Sequence, residues 1–385
     1  MTEFDRLYLN LVKKIMNEGI EVENRTGINT IKVPEHHFEF DVGKEFPILQ
    51  SKQSFYKQAV IEMLWIWQMQ SNDVRDLHQR GVHIWDEWMI DSDGIYRIYE
   101  PEGKCDYDSN KEVIVLDPFS VSLGEEHLPL KPKLDDSGKV MMAKSIKEGK
   151  TIKAAKYYGI DQAYTIGSAY GFITRRYQHT QNIIRTAVNC PSDRRIVKSL
   201  WQDEFLRGAV LPSCVWSTEW DITNGKLSLL VHQRSCDVPL GLPFNITQYA
   251  TLLKMIAQVT NLEVGKMYYS IKDAHIYTNQ LEGMKELLRR DNKYSEFQNL
   301  SKEELIALKN NLQEYLLKIN KDDSRYNAIE TEARIADIIL DPTKPDLELD
   351  PSIYDFFKFD NSKELKHIKL KSYKHMGKIT FPIAQ

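Results

Sequence analysis

No C-x-x-C pair occurs among the four cysteines, Cys105, Cys190, Cys214 and Cys236. That absence excludes the usual zinc-ribbon and dithiol-redox spacings and fits a reduced, cytoplasmic setting. No apolar run reaches 18 residues, and the opening MTEFDRLYLN has neither a basic n-region nor an apolar h-region. A membrane-spanning or secreted protein is therefore not expected. Charge of one sign is also missing: 51 basic residues face 55 acidic ones, a net of −4, so no global field favours nucleic acid or an anionic membrane as a direct partner. There is no G-x-G-x-x-G, and Gly149-Lys150-Thr151 cannot close a P-loop because Lys144 stands where the first glycine belongs. His36 and His37 are adjacent and would point to opposite faces of a strand, and the other eight histidines show no ligand spacing. No metal is expected. Internal repeats and low-complexity tracts are absent as well.

What is present is a chain of 385 residues, 42% hydrophobic and 28% charged, a composition that excludes wholesale disorder. A chain this long buries roughly three quarters of its unfolded surface and needs no staple. Phe4, Leu7, Tyr8, Leu11, Val12, Ile15 and Met16 follow a helical stripe over 2–18, with Thr2 as cap. Strand-like alternation appears around Thr30–Val33 and Phe38–Val42. Residues 57–70, KQAVIEMLWIWQMQ, predict a helix buried on all sides. Helical patterns are also read at Val140–Gly149, Thr151–Tyr158 and 172–188, a strand at Arg194–Trp201, a second at Gly225–Arg234, and a helix over 246–260. Ser301-x-x-Glu304 forms a capping box before Leu305, Leu308, Leu312 and Leu316. Composition shifts at about 89–164, which is polar and turn-rich, and at 291–345, which is rich in Lys, Glu and Asn. The pattern is a mixed α+β domain interrupted by two inserts.

Glu62 lies inside the apolar run VIEMLWIW. A buried carboxylate must be paired, neutralised or facing a cavity, so Glu62 is either an ordinary helix-surface residue or an acid–base group tuned by burial. Cys214, in LPSCVWSTEW, follows a proline and precedes a strand. A lone cysteine is usually a small core residue, whereas a nucleophilic one needs positive charge nearby. Arg234, at the end of the next strand, can supply it. Arg25, Arg194 and Arg195 add guanidinium groups suited either to solvent or to bidentate phosphate binding.

The run VHQRSCDVPLGLPFNITQY at 231–249 resembles the signature of thymidylate synthases, an R-S-x-D segment followed by L-G-L-P-F-N. NRTG (24–27), HIWDEW (83–88), SDRR (192–195), DAHIYTN (273–279) and the closing GKITFPIAQ agree in order and spacing. The resemblance covers about 1–88, 166–290 and 346–385, and the two inserts fall in its gaps. It implies one thymidylate synthase-like catalytic domain over 1–385, of α+β class, with a mixed β-sheet packed with helices and a sheet face forming a homodimer interface. It further implies transfer of a one-carbon unit from 5,10-methylenetetrahydrofolate, as co-substrate, to carbon 5 of dUMP. By resemblance, Cys214 is the thiolate that adds to carbon 6, and Arg25, Arg234 and Ser235, with Arg194 and Arg195 of a second subunit, clamp the phosphate. Asn245 reads the base, its donor and acceptor suiting uracil, and His275 and Tyr277 bind the sugar hydroxyl. Trp85, Trp88, Asp237, Leu240, Phe244 and Ala384 contact the folate. Tyr170 assists proton removal at carbon 5, and Glu62 orders water and helps open the folate ring.

Departures from the family pattern bear on the product. Thymidylate synthases carry P-C-H and P-V-Y-G-x-Q-W, but this chain has Ser213-Cys214-Val215 and Ser168-Ala169-Tyr170-Gly171-Phe172-Ile173-Thr174. Phage-type deoxycytidylate hydroxymethylases of the same superfamily also lack that histidine and that Q-W pair. Their cytosine-directed members have aspartate at the base-reading position, where Asn245 keeps the uracil amide. A polar Gln385 also ends the chain where an aliphatic residue is usual. Hydride transfer needs the pterin close and water excluded, so these changes favour water addition and 5-hydroxymethyl-dUMP as the product. That branch implies a role in making modified viral DNA in a host cytoplasm. Thymidylate synthesis is the alternative, and a non-catalytic nucleotide-binding paralogue is the reading of another class.

Overall fold

Fifteen residues of β-compatible sequence, Glu263–Tyr277, form the longest strand of the chain and set the frame around it. The computed structural model describes residues 1–24, 26–100, 112–123, 125, 128–147 and 150–383. They divide into two compact units, the first made of 1–60, 184–197 and 218 onward, the second of 61–183 and 198–217.

In the first unit, Glu263–Tyr277 pairs antiparallel with Thr30–Asp41, from Lys266 opposite Asp41 to Tyr277 opposite Thr30. On its other edge it pairs parallel with Lys226–Gln233, in which Leu227, Leu229 and Val231 are fully buried, as the alternation over 225–234 predicts. Ile20–Val22 extends the sheet beyond Thr30–Asp41, which is one continuous strand rather than the two short ones expected. Val215–Thr223 and Val197–Ser199 complete the order and carry the chain from one unit to the other. Of the predicted strand Arg194–Trp201, Val197–Ser199 forms the strand, with Ile196 and Leu200 hydrogen-bonded to Trp220 and Trp216 at its ends. The sheet is mixed and helices pack on it, as the α+β expectation requires.

Thr2 caps the helix Glu3–Glu18 in a capping box with Asp5. Asp5 is itself fully buried and accepts the backbone N–H groups of Gln50 and Ser51, so one carboxylate both starts the helix and holds the turn before Lys52. The helix Gly241–Val259 buries thirteen of its nineteen residues. Leu281–Phe297, Lys302–Lys318 and Tyr326–Leu340 follow, the middle one started by the Ser301–Glu304 capping box, and Tyr294, Phe297, Leu305, Ile335 and Ile338 form their core with Met376.

In the second unit a separate sheet runs in the order Ile95–Tyr99, Lys150–Tyr157, Glu112–Asp117, Lys131–Pro132, around Ile95, Val115, Ala143 and Ala155. The helices expected at 140–149 and 151–158 are strands here, Met142–Lys144, Ile146–Lys147 and Lys150–Tyr157; residues 148 and 149 lie outside the described set. The reason is pairing: Lys150–Tyr157 aligns Tyr157 with Ile95 and Ile152 with Tyr99, and this tertiary register overrides a spacing that also fits a helix. The helical pattern at 172–188 is split into Gly171–Arg176 and His179–Asn189 by Gln178, whose φ is 50°. Among the described residues no helix is long and apolar enough to cross a membrane.

Candidate active site

The second unit gathers five of the expected residues into one connected chain. The helix Tyr56–Trp67 carries Glu62, which is 8% exposed, so burial follows from the apolar run around it. The carboxylate is paired: Trp85 Nε1 donates to Glu62 Oε1 at 2.7 Å. That excludes the helix-surface reading and leaves a buried, hydrogen-bonded carboxylate. The Trp85 indole meets Trp88 at 5.5 Å and Tyr170 at 5.5 Å between ring centroids, both edge-on, the arrangement that aromatic quadrupoles favour. The Tyr170 hydroxyl then accepts the backbone N–H of Cys214 at 2.8 Å. Cys214 is half-buried, outside any disulfide, immediately before the strand Val215–Thr223.

Tyr170 is held in a costly backbone conformation, φ 46°, at the entrance of Gly171–Arg176. Gly171 is required beside it, because a Cβ there would lie 1.8 Å from the carbonyl oxygen of Ser71. Val215 and Ile173 are buried, and buried Thr174 turns its hydroxyl back onto the Tyr170 carbonyl at 3.1 Å.

The first unit gathers a polar group. Asn245 lies in the first turns of Gly241–Val259. Its Oδ1 accepts from Gln233 Nε2 at 3.2 Å and its Nδ2 donates to Gln248 Oε1 at 3.1 Å, while Tyr269 donates to Gln233 Oε1 at 2.6 Å. These partners fix which end of the Asn245 amide faces which way. Gln233 also donates to the Ser235 carbonyl, shaping the turn that carries half-buried Arg234 and Ser235.

Cys236–Asp237 pairs in parallel with Glu263–Tyr277, setting Asp237 directly opposite His275. Asp237 accepts the N–H of Leu240, just ahead of the helix, and the amide of Gln280 at 3.0 Å. Burial raises the Asp237 carboxyl above its ordinary range, while those hydrogen bonds and the charges of His275 and Lys52 oppose the rise. Lys52 is buried, donates to the Pro239 carbonyl at 2.6 Å, stands 5.2 Å from the centre of the Phe381 ring, and is lowered by burial to about 8. His275 is 7% exposed and bonds through Nδ1 to Asp273 Oδ1 at 3.0 Å. The His275 hydrogen bond, then Lys32 at 2.9 Å, pull Asp273 down to about 2. The Tyr277 ring meets His275 edge-on at 5.1 Å, and its backbone N–H donates to Gln280. Leu240 and Phe244 are half-buried on this side.

Arg194 and Arg195 do not join either group: both are exposed, and Arg195 is held by Asp193 at 2.8 Å. Arg25 and Ala384 lie outside the described residues. Sequence reading missed Lys52, Gln233, Gln248, Asp273 and Gln280. Of these only Lys52 had a signal, a cation at the edge of an apolar stretch. It also passed over His78, His83 and Asp86, the one group of potential metal ligands among the described residues, whose ligand atoms lie within 4.8 Å of one another.

The family model described as thymidylate synthase matches residues 6–322. A thymidylate synthase of Clostridium beijerinckii is 34% identical over 76% of this chain and 84% of its own length. Thymidylate synthase 1 of Bacillus subtilis is 28% identical over the whole of both chains. The solved structure of thermostable thymidylate synthase A from Bacillus subtilis covers all of both chains, with 27% identity and a TM-score of 0.62.

Proposed function

Because the chain belongs to the thymidylate synthase family, we propose that it transfers a one-carbon unit from 5,10-methylenetetrahydrofolate to carbon 5 of dUMP and completes the reaction as a methylation, giving dTMP and dihydrofolate. The observation that carries this reading is the chain from Glu62 through Trp85 and Tyr170 to the backbone of Cys214. It links a buried carboxylate, an indole, a phenol and the backbone that carries a thiol, a set that suits covalent catalysis better than binding alone.

In this reading the Cys214 thiolate adds to carbon 6 of the pyrimidine, and the electron pair displaced to carbon 5 makes that carbon the nucleophile. Carbon 5 bonds to the one-carbon unit, and its proton leaves with help from the Tyr170 hydroxyl. Glu62 orders water and helps open the folate ring. Tetrahydrofolate then departs, leaving an exocyclic methylene that takes a hydride from it, and the thiolate is expelled. Asn245 reads the uracil edge. Arg25, Arg234 and Ser235 bind the phosphate together with Arg194 and Arg195 of a second subunit, whose exposure in one chain suits donation to another. His275 and Tyr277 bind the sugar. The apolar faces of Trp85, Trp88, Leu240 and Phe244 suit a pterin and its aromatic tail, Ala384 is read as a further folate contact, and the Asp237 carboxyl, raised by burial above its ordinary range, suits a heterocycle rich in hydrogen-bonding nitrogens. Residues 89–164 and 291–345 are taken as additions to one catalytic domain.

The sequence by itself favoured hydroxymethylation, but the relatives are named thymidylate synthases, and those names back the methylating alternative better. One feature keeps the second reading: Val215, buried and unable to hydrogen-bond, follows the thiol directly, and Ile173 and Thr174 stand where the family pattern has Gln-Trp. Without those donors the methylene is open to water, giving 5-hydroxymethyl-dUMP and tetrahydrofolate. Incubating dUMP with methylenetetrahydrofolate, following dihydrofolate absorbance and weighing the nucleotide separates the outcomes. Dihydrofolate matched by a methylated nucleotide is expected. A hydroxymethylated nucleotide without dihydrofolate selects the second reading, and unchanged dUMP overturns both.

A further inference from the structure

We propose that His78, His83 and Asp86 form a binding site for a divalent transition-metal ion of the zinc class, separate from the reaction proposed above. His78 is the last residue of the short helix Val74–His78. The chain then reverses through Gly81, whose φ of 70° suits glycine, with Gly81 N–H bonded to the His78 carbonyl and Val82 N–H to that of Leu77. This turn lays the His83 ring on the His78 ring, centroids 4.8 Å apart and planes 26° from parallel. Asp86 opens the next turn, Asp86–Trp88, and directs one carboxylate oxygen to each ring: Oδ1 to His78 Nε2 at 2.6 Å and Oδ2 to His83 Nδ1 at 3.1 Å.

Two imidazole nitrogens and a carboxylate on one spot are a three-ligand set for a borderline metal. A tetrahedral zinc with bonds of about 2.0–2.1 Å holds its ligand atoms roughly 3.3 Å apart, and the three ligand atoms here lie within 4.8 Å of one another, so small rotations of these partly exposed side chains reach that spacing. Nitrogen donors select zinc, cobalt, nickel or copper over magnesium and calcium, which prefer all-oxygen shells. The three side chains are 31%, 63% and 41% exposed, which leaves an entry path and room for water in the remaining coordination positions. Asp86 stands next to Trp85, whose indole is bonded to Glu62, and two residues before Trp88. The ion would therefore fasten the turn carrying both indoles to the helix Val74–His78.

The test uses the full chain stripped of metal with a chelator and titrated with zinc chloride by calorimetry, in parallel with His83→Ala and Asp86→Asn. His83 and Asp86 are both exposed and their variants are checked for an unchanged melt without metal. One zinc per wild-type chain is expected, with at least tenfold weaker binding in each variant and no competition from magnesium. Cobalt substitution should give visible bands without the intense near-ultraviolet absorption of sulfur ligation. Absence of saturable zinc binding overturns the proposal. Binding that persists undiminished in both variants, or cobalt spectra showing thiolate ligation, also overturns it by placing the metal on cysteine.

Discussion

The residues gathered around Cys214 and those gathered around Asn245 are built from different materials. On the cysteine side three aromatic rings, Trp85, Trp88 and Tyr170, meet edge-on, and a buried carboxylate is satisfied by an indole N–H. On the amide side the connections are Gln233, Gln248, Gln280, Asp237, Asp273, His275, Lys32 and Lys52, joined by hydrogen bonds and ion pairs. Rings fill space and exclude water, which suits the addition and departure proposed for the Cys214 thiol. Amides and ion pairs read polarity, and in a satisfied network each donor specifies its neighbour's orientation. Making a bond and choosing a ligand thus call for different surroundings.

The largest effect separates these roles. Cys214→Ser keeps the shape but removes the nucleophile, so turnover should fall by about 10⁴-fold or more while dUMP affinity changes no more than a few-fold. Isothermal titration with dUMP beside steady-state rates would show it. A parallel loss of binding and turnover would mean that the ring-lined side also recognises the nucleotide, and the contrast drawn here would fail.

How much of this was legible beforehand follows the same divide. Glu62 announced itself as a charge within VIEMLWIW, and Lys226–Gln233 by its period of two, because both signals are local. The amide partners were not visible: Gln233 finds Asn245 twelve residues on and Tyr269 thirty-six residues on, contacts created only when strands align. Lys150–Tyr157 was misread for the same reason, since its partner Ile95–Tyr99 lies some fifty residues away and local spacing fits either element. His78, His83 and Asp86 come together through one tight turn, a short-range juxtaposition that no standard ligand spacing encodes.

Asn245→Asp tests the reading role of the amide side. Aspartate still accepts from Gln233 but, when ionised, cannot donate to Gln248, and its accepting oxygens suit the amino group of cytosine better than the carbonyl of uracil. The ratio of kcat/KM for dUMP over dCMP should fall by about 10³-fold, within the range that buried hydrogen bonds support. An unchanged ratio would move base reading to another residue.

The smallest effect concerns charge on the amide side. Asp273 is pulled down to about 2, first by the hydrogen bond with His275 and then by Lys32, against an ordinary value near 3.8. A carboxyl depressed by folding stabilises the native state above the unfolded value, and that contribution disappears as the pH falls from about 4 towards 2. Partial exposure screens the pair, so roughly 1 kcal/mol is at stake near neutrality. Asp273→Asn should therefore lower the unfolding free energy, read from urea titration, by that amount at pH 7 and converge on the parent as acid protonates Asp273. A gap that stays constant through that window would mean that the link between Asp273 and His275 acts through shape alone, leaving the amide side closer in character to the rings around Cys214.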